Sequence, residues 1–325
     1  MRLRSIGACA LCALTLVAGA ACGSDDDSPG RSPAEGPPTT TLTDEAADAQ
    51  AGLTLEDAGT EPRETLRLRV AAGTTTKAAL LNELTLKLTA DGEDVPVGGV
   101  PATRLVMEQR IDRVDPDGTV HYSASFTDAR ALSTPGASTS VVRETQEALD
   151  EMKGLTLTGS MDVRGTAQAL QADTSGITDE TLKSLLDSMT SQIGNLAPPF
   201  PRTAVGPGAR WTAKSSATIA GITMNTTTHY TLRSRAGDRY EVDVTQEGDV
   251  PPGPVELPNV PSSASTSVER FDFTSKGTTT GDLTRPLPER SAVTGAGRAV
   301  FAVTAGREGG RLSQAMTMET TLTPA

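Results

Sequence analysis

Ala197-Pro-Pro-Phe-Pro-Arg-Thr-Ala-Val-Gly-Pro-Gly-Ala-Arg-Trp211 divides everything beyond the N-terminal tail into two similar halves. Its prolines cannot continue a helical ladder, so the helical pattern before them stops; Gly206 and Gly208 supply the turn that opens the next strand. The stretch also holds the chain's single Trp, in a sequence with only 3% aromatic residues. A core that poor in aromatics has few large side chains, so Trp211 is expected to be buried at the start of the second half, beside Phe200 and Val205.

Working back from the stretch, Leu182, Leu185, Leu186, Met189, Ile193 and Leu196 form one apolar stripe at helical spacing, capped by Thr178 and stopped by Pro198. A first helix is read from Val141, Thr145, Ala148, Leu149 and Met152, with Gly154 as its stop. Around the helices the period changes to two. Leu66, Leu68 and Val70 alternate with Arg67 and Arg69, and Leu84, Leu86 and Leu88 with Thr85 and Lys87, both reading as half-buried strands. Residues 104–114 read as a third, and the turn Asp115-Pro-Asp-Gly118 leads into alternating Val120, Tyr122, Ala124 and Phe126. Leu155, Leu157, Met161 and Val163 return to strand character between the helices.

Working forward, strands are read around Trp211 and Ala213, Ile222 and Met224, Tyr230 and Leu232, Tyr240 to Val244, and Phe271 and Phe273, then over 298–303 and 312–322. About a dozen strands result, and a sheet that wide must curl or close. The fold class is therefore mainly β with two helices (α+β), built on a large curved antiparallel sheet or half-barrel. Gly73 matches Gly208, Asp117-Gly118 matches Gly237-Asp238, and Gly165-Thr166 matches Gly277-Thr278, which sets out pseudo-repeats of about 64–197 and 198–325. An internal duplication and chance recurrence of turn residues among Thr-rich strands explain these matches equally well. The proline-rich stretch 251–265 replaces the first helix in the second half.

The 325 residues carry a net charge of −12 and a pI near 4.7, which argues against nucleic acid as a partner. With 36% hydrophobic residues the core is modest and drawn from Leu, Val, Ile, Met and Ala. The N-terminus reads as a leader: Arg2 and Arg4 precede the apolar run 6–17, and Ala18-Gly19-Ala20-Ala21-Cys22 follows. Residues 23–63 are rich in Asp, Ser, Pro, Gly, Thr and Glu and read as a disordered tether, leaving 64–325 as the β-rich domain.

The Ala18 to Cys22 segment resembles the lipobox of bacterial lipoproteins, with Gly19 where Leu is usual. That resemblance implies cleavage between Ala21 and Cys22 (signal peptide 1–21), a diacylglycerol anchor on Cys22, a palmitoylated mature N-terminus and a place on the outer face of the cytoplasmic membrane. The competing reading is an ordinary secretory leader cleaved near Ala21. Cys9 and Cys12 fall in the leader, so with Cys22 acylated no disulfide is expected. The helix ending in Pro-Phe-Pro, the Val205-Gly-Pro-Gly-Ala-Arg-Trp211 segment and the strands beyond it resemble a domain-of-unknown-function family of actinobacterial secreted lipoproteins. In plan the chain is also similar to the lipid-carrying lipoproteins of mycobacterial envelopes.

No catalytic constellation is read from the sequence. His121 and His229 each precede a Tyr on a strand, so both should face solvent, and no further ligand converges on either. No nucleophile elbow, phosphate loop or dinucleotide fingerprint occurs, and no cofactor or metal is expected. Met107, Met152, Met161, Met189, Met224, Met316 and Met318 either line an adaptable pocket or fill the core. Trp211, Met189 and Met224 are the candidate ligand contacts. The function expected is that of a non-enzymatic envelope lipoprotein binding or carrying an apolar ligand such as lipid; the alternative is a structural lipoprotein contacting an envelope partner.

Overall fold

A computed structural model describes residues 52–172, 197–219, 222–255, 264–305 and 308–325. The elements are β1 (Leu53–Asp57), β2 (Thr75–Ala90), β3 (Glu93–Val95), β4 (Ala102–Val114), β5 (Val120–Leu132), α1 (Thr139–Met152), β6 (Thr156–Met161), β7 (Ala167–Ala172), β8 (Arg210–Ile219), β9 (Ile222–Ala236), β10 (Arg239–Asp249), β11 (Gly253–Val255), β12 (Ala264–Asp282), β13 (Arg290–Ala305) and β14 (Glu308–Pro324). They form one antiparallel sheet of 14 strands in the order β1-β8-β9-β10-β12-β13-β14-β2-β4-β5-β6-β7, with β11 beside β12 and β3 beside β2. Two meanders are thus joined through β14 and β2, in register from Leu312 with Ala90 to Pro324 with Ala78.

Because side chains alternate along a strand and partners in register share a face, the pairings assign every strand residue to one of two faces. On one face lie Leu84, Leu86, Met316, Met318, Phe271, Phe273, Val242 and Trp211; on the other lie Glu83, Lys87, Thr317, Glu319, Asp272, Thr274, Asp243 and Arg210. That second face is laced with ion pairs such as Lys77 with Glu108, Arg233 with Asp243 and Arg270 with Asp272.

The apolar face is the concave one. A single core cluster contains Ile111, Val120, Tyr122 and Met161 from β4 to β6 together with Trp211, Tyr230, Leu232 and Tyr240 from β8 to β10. These strands lie far apart in the strand order, so they share a core only if the sheet bends round toward its apolar side. The sheet stays open, with β1 and β7 at its edges. The two ends are bridged by residues 58–72 and 197–209, whose Leu66, Leu68, Phe200 and Val205 fill the gap between them. Glu64 and Val205 exchange both backbone hydrogen bonds, Leu68 N donates to Val163 O, Arg69 N to Leu283 O and Phe200 N to Arg164 O.

Helix α1 follows its sequence signals. Ser138 caps it, accepting from Val141 N, and Gly154 takes a positive φ of 83° just beyond its end. It lays Leu149 and Met152 on the concave face against a cluster holding Leu105, Met107, Phe126 and Leu157. Met107 and Met161 are likewise core residues, as are Met316 and Met318.

Three expectations need correction. Leu66 to Val70 is no strand of the sheet: the two leucines are buried, but the segment crosses one end of the curve and its backbone bonds to two different partners, Val163 and Leu283, in place of a ladder. The tether was expected to run to Arg63, yet Leu53–Asp57 is a strand paired with β8 and Leu53 is buried. Its Leu53 and Leu55 alternate against Thr54 and Glu56, a pattern too short to stand out from the acidic segment around it. The third repeat landmark also fails. Gly118 and Gly237 both sit in tight turns at positive φ, but Gly165 closes the β6–β7 turn whereas Gly277 lies within β12. The second predicted helix, over 178–196, falls outside the described residues.

Candidate functional site

The concave face is not uniformly filled. Two packed clusters lie at either end of the long strands, one centred on Trp211, Tyr230 and Tyr240, the other on Phe271, Phe273, Phe301 and Met316. Between them runs a row that crosses five strands in register: Val244 with Gly277, Gly277 with Val293, Val293 with Thr320, and Thr320 with Asn82. All five residues are half-buried, as are Leu80, Leu84 and Leu86 beside them on β2. Four strand spacings make this floor about 19 Å wide. This half-buried line of aliphatic and small neutral side chains is the trough of the concave face; Val244 packs against the first cluster and Leu84 and Leu86 against the second.

Glycines shape the floor. Phe273 has Gly248 and Gly297 as its register partners, and a Cβ at Gly295 would come within 2.9 Å of its ring Cζ. The ring therefore lies down over its neighbours, and a side chain there would push it off. Tyr240 does the same at Gly281, whose missing Cβ leaves room for the phenol hydroxyl. The Tyr240 ring meets Phe200 edge-on at 5.1 Å. Burial pushes the Tyr122 phenol up to about 12 and raises that of Tyr240 as well, because an apolar surround disfavours the phenolate.

The polar groups of this face are neutral. Thr279 and Ser291 lie 3.0 Å apart, Ser275 Oγ donates to Gln246 Oε1 at 3.4 Å, and Thr320 Oγ1 donates to Asn82 Oδ1 at 2.9 Å. Left without a hydrogen-bond partner among the described residues are Thr228 Oγ1, Gln109 Oε1, Thr266 Oγ1 and both amide atoms of Gln314. Among the concave positions of β2, β4 to β6, β8 to β10 and β12 to β14 whose side chains are described, there is one ionisable side chain besides the tyrosines. That is Arg235, at the bridged end, where it pairs with Glu64 at 2.9 Å. Beside it a cleft of about 420 Å³ is lined by Arg67, Arg69, Asp117 and Arg235, with Arg69 paired to Asp238.

Trp211 is fully buried, stacked on Tyr230 at 5.5 Å with Nε1 donating to Pro199 O at 2.8 Å. Phe200 and Val205 share its cluster, as expected. Trp211 thus belongs to the packed end and does not line the open floor. Met224 is buried in the opposite cluster. Met189, Ala21 and Cys22 lie outside the described residues. The two histidines sit on the convex face. His121 Nε2 is 2.8 Å from Asp115 Oδ2, and His229 Nδ1 is 3.9 Å from Glu56 Oε1. Hydrogen bonds from Arg113 first, and His121 second, hold the Asp115 carboxyl below its ordinary value. No group of three or more metal-ligating side chains is found among the described residues.

The residues that compose the floor were not singled out by sequence. Alternation marks them as facing one side of their strands, but only the register places Val244, Gly277, Val293, Thr320 and Asn82 in one line.

No protein-family model and no curated protein matches the chain. Among solved structures, a loop-deletion mutant of OmpT, an outer membrane protein of Vibrio cholerae, aligns at 9% identity over 78% of this chain and 99% of that one, with a TM-score of 0.20. Pseudomonas aeruginosa OccK11 (OpdR) aligns at 7% identity over 79% and 98%, with a TM-score of 0.19. At such scores the likeness amounts to long antiparallel strands side by side and carries no argument. Among the described residues no helix is long and apolar enough to cross a membrane.

Proposed function

We propose that the protein is a non-enzymatic lipoprotein of the cell envelope that holds an apolar, lipid-like ligand in the trough of its half-barrel. The observation that carries this reading is the row from Val244 to Asn82, an uncharged, half-buried floor between two packed clusters. A sheet serving only as a scaffold would close that row with side chains. The floor offers hydroxyls and amides but no described base, nucleophile or metal set, which favours binding without turnover. The lipobox-like Ala18 to Cys22 supports an anchor on the outer face of the cytoplasmic membrane, since two acyl chains suffice for stable attachment.

An uncharged solvatochromic dye tests the trough. The full chain should bind it with a blue shift, and Val293→Lys, which puts an ammonium on the floor, should abolish that binding. Thr294→Lys, one residue on and facing the convex side, should leave it unchanged. Equal effects of the two substitutions, or none, would contradict the proposal.

A further inference from the structure

We infer that the cleft at the bridged end of the sheet is a binding site for a phosphate group, held by Arg67, Arg69 and Arg235. Its volume of about 420 Å³ falls in the range of small-molecule sites. Stretches far apart in sequence wall it: the crossing segment 65–69, the β4–β5 turn at Asp117 and Gly118, Val163, Arg235 near the end of β9, and Leu283. The crossing segment is tied to two of the others, because Leu68 N donates to Val163 O and Arg69 N to Leu283 O, both at 2.6 Å. Burial alternates along it, with Leu66 and Leu68 inside and Arg67 and Arg69 exposed, so the two arginines stand on one side, about 7 Å apart. Arg235 joins them from β9. Its Nε donates to Gly237 O at 3.0 Å and its Nη2 pairs with Glu64, so its guanidinium is fixed at two points before any ligand arrives.

The charges select the ligand. The lining holds three guanidinium groups and one carboxylate, Asp117, whose Oδ1 accepts from Thr119 N. Arg67 has no hydrogen-bond or ion-pair partner among the described residues. Arg69 holds Asp238, and Arg235 holds Glu64, whose side chain is 65% exposed. A pair with so exposed a member is worth little. The Arg235 side chain is itself only 13% exposed, and a cation that far removed from water is stabilised by an anion in the cleft beside it. A carboxylate brings one charge and two oxygens in a plane, which a single guanidinium fork satisfies. A phosphate monoester brings a charge of about −1.5 to −2 and three acceptor oxygens, so it uses forks arriving from different segments. An uncharged or cationic ligand gains nothing from the three arginines.

This site is separate from the trough. Arg235 stands in register with Tyr240, four residues or about 13 Å along β10 from Val244, and the fully buried pair Val242 and Leu232 lies between.

Isothermal titration of the full chain with glycerol 3-phosphate, dioctanoyl phosphatidate and acetate tests the site. Glycerol 3-phosphate should bind, acetate about tenfold more weakly, and added salt should weaken the phosphate by screening. Arg67→Gln should weaken glycerol 3-phosphate about tenfold and leave the melting temperature unchanged, since Arg67 has no partner to lose. Asp117→Asn keeps an acceptor for Thr119 N, removes the opposing charge and should tighten glycerol 3-phosphate about threefold. Opposite responses from two residues of one cleft are what a ligand site gives and what charges that only support the fold do not. Dioctanoyl phosphatidate binding more tightly than glycerol 3-phosphate, with Arg67→Gln weakening both, assigns the phosphate to a lipid headgroup; equal affinities assign it to a soluble ester. No binding of either phosphate, acetate binding as tightly as glycerol 3-phosphate, or an affinity that neither substitution changes would each overturn the inference. The dye measurement on the trough is independent of all these results.

Discussion

At the scale of single residues, burial concentrates where the two ends of the sheet meet, and Trp211 is the largest side chain there. It is fully buried, stacked on Tyr230 and hydrogen-bonded through its indole nitrogen, so nothing of the ring is left for a ligand. Trp211→Ala should therefore destabilise the fold by about 3 to 5 kcal/mol in urea titrations. As the chain's only Trp, its emission should be blue-shifted and resist aqueous quenchers until unfolding. A red-shifted, easily quenched emission would contradict the packing described. This burial was legible in the sequence, because a lone indole after a Gly-Pro-Gly turn in an aromatic-poor chain has few other uses. The arginine cleft was not, since Arg67 and Arg69 read as the solvent side of a strand and only the fold brings Arg235 beside them.

At the scale of elements, β1 shows how a short strand is anchored by its partners more than by its own sequence. Leu53 and Leu55 stand in register with Ala213 and Trp211, so β1 covers the flank of the chain's densest cluster. Leu53→Ala should cost roughly 2 to 5 kcal/mol, a core truncation, although Leu53 sits in a segment of tail-like composition. A chain begun at residue 64 should melt well below one begun at 52, whereas equal melting would place the domain boundary back at Arg63. The long strands β2, β4, β5, β8 to β10 and β12 to β14, and helix α1, announced themselves through sustained periodicity. What failed to do so were pieces whose alternation is set by crossing the sheet, as with Leu66 and Leu68, or is too brief to rise above the background, as with β1.

At the scale of the molecule, the governing property is that a sheet of 14 strands puts its apolar side chains on one face and its charges on the other, then curves toward the apolar side without closing. The breadth and curvature were legible from the strand count, and the sidedness from alternation in each strand. The line of half-open residues was not, because it depends on register between strands as distant in sequence as β2 and β14. The most direct measurement of the central claim uses a neutral acyl ester bearing a diazirine in its chain, photolysed on the full protein and mapped by mass spectrometry. Labels should fall with a period of two, on Leu80, Leu84 and Leu86 of β2 and on Val293 of β13, sparing Thr85, Lys87 and Thr294 between them. Labels spread over both phases of these strands, or gathered on the convex face, would contradict a ligand held in the trough.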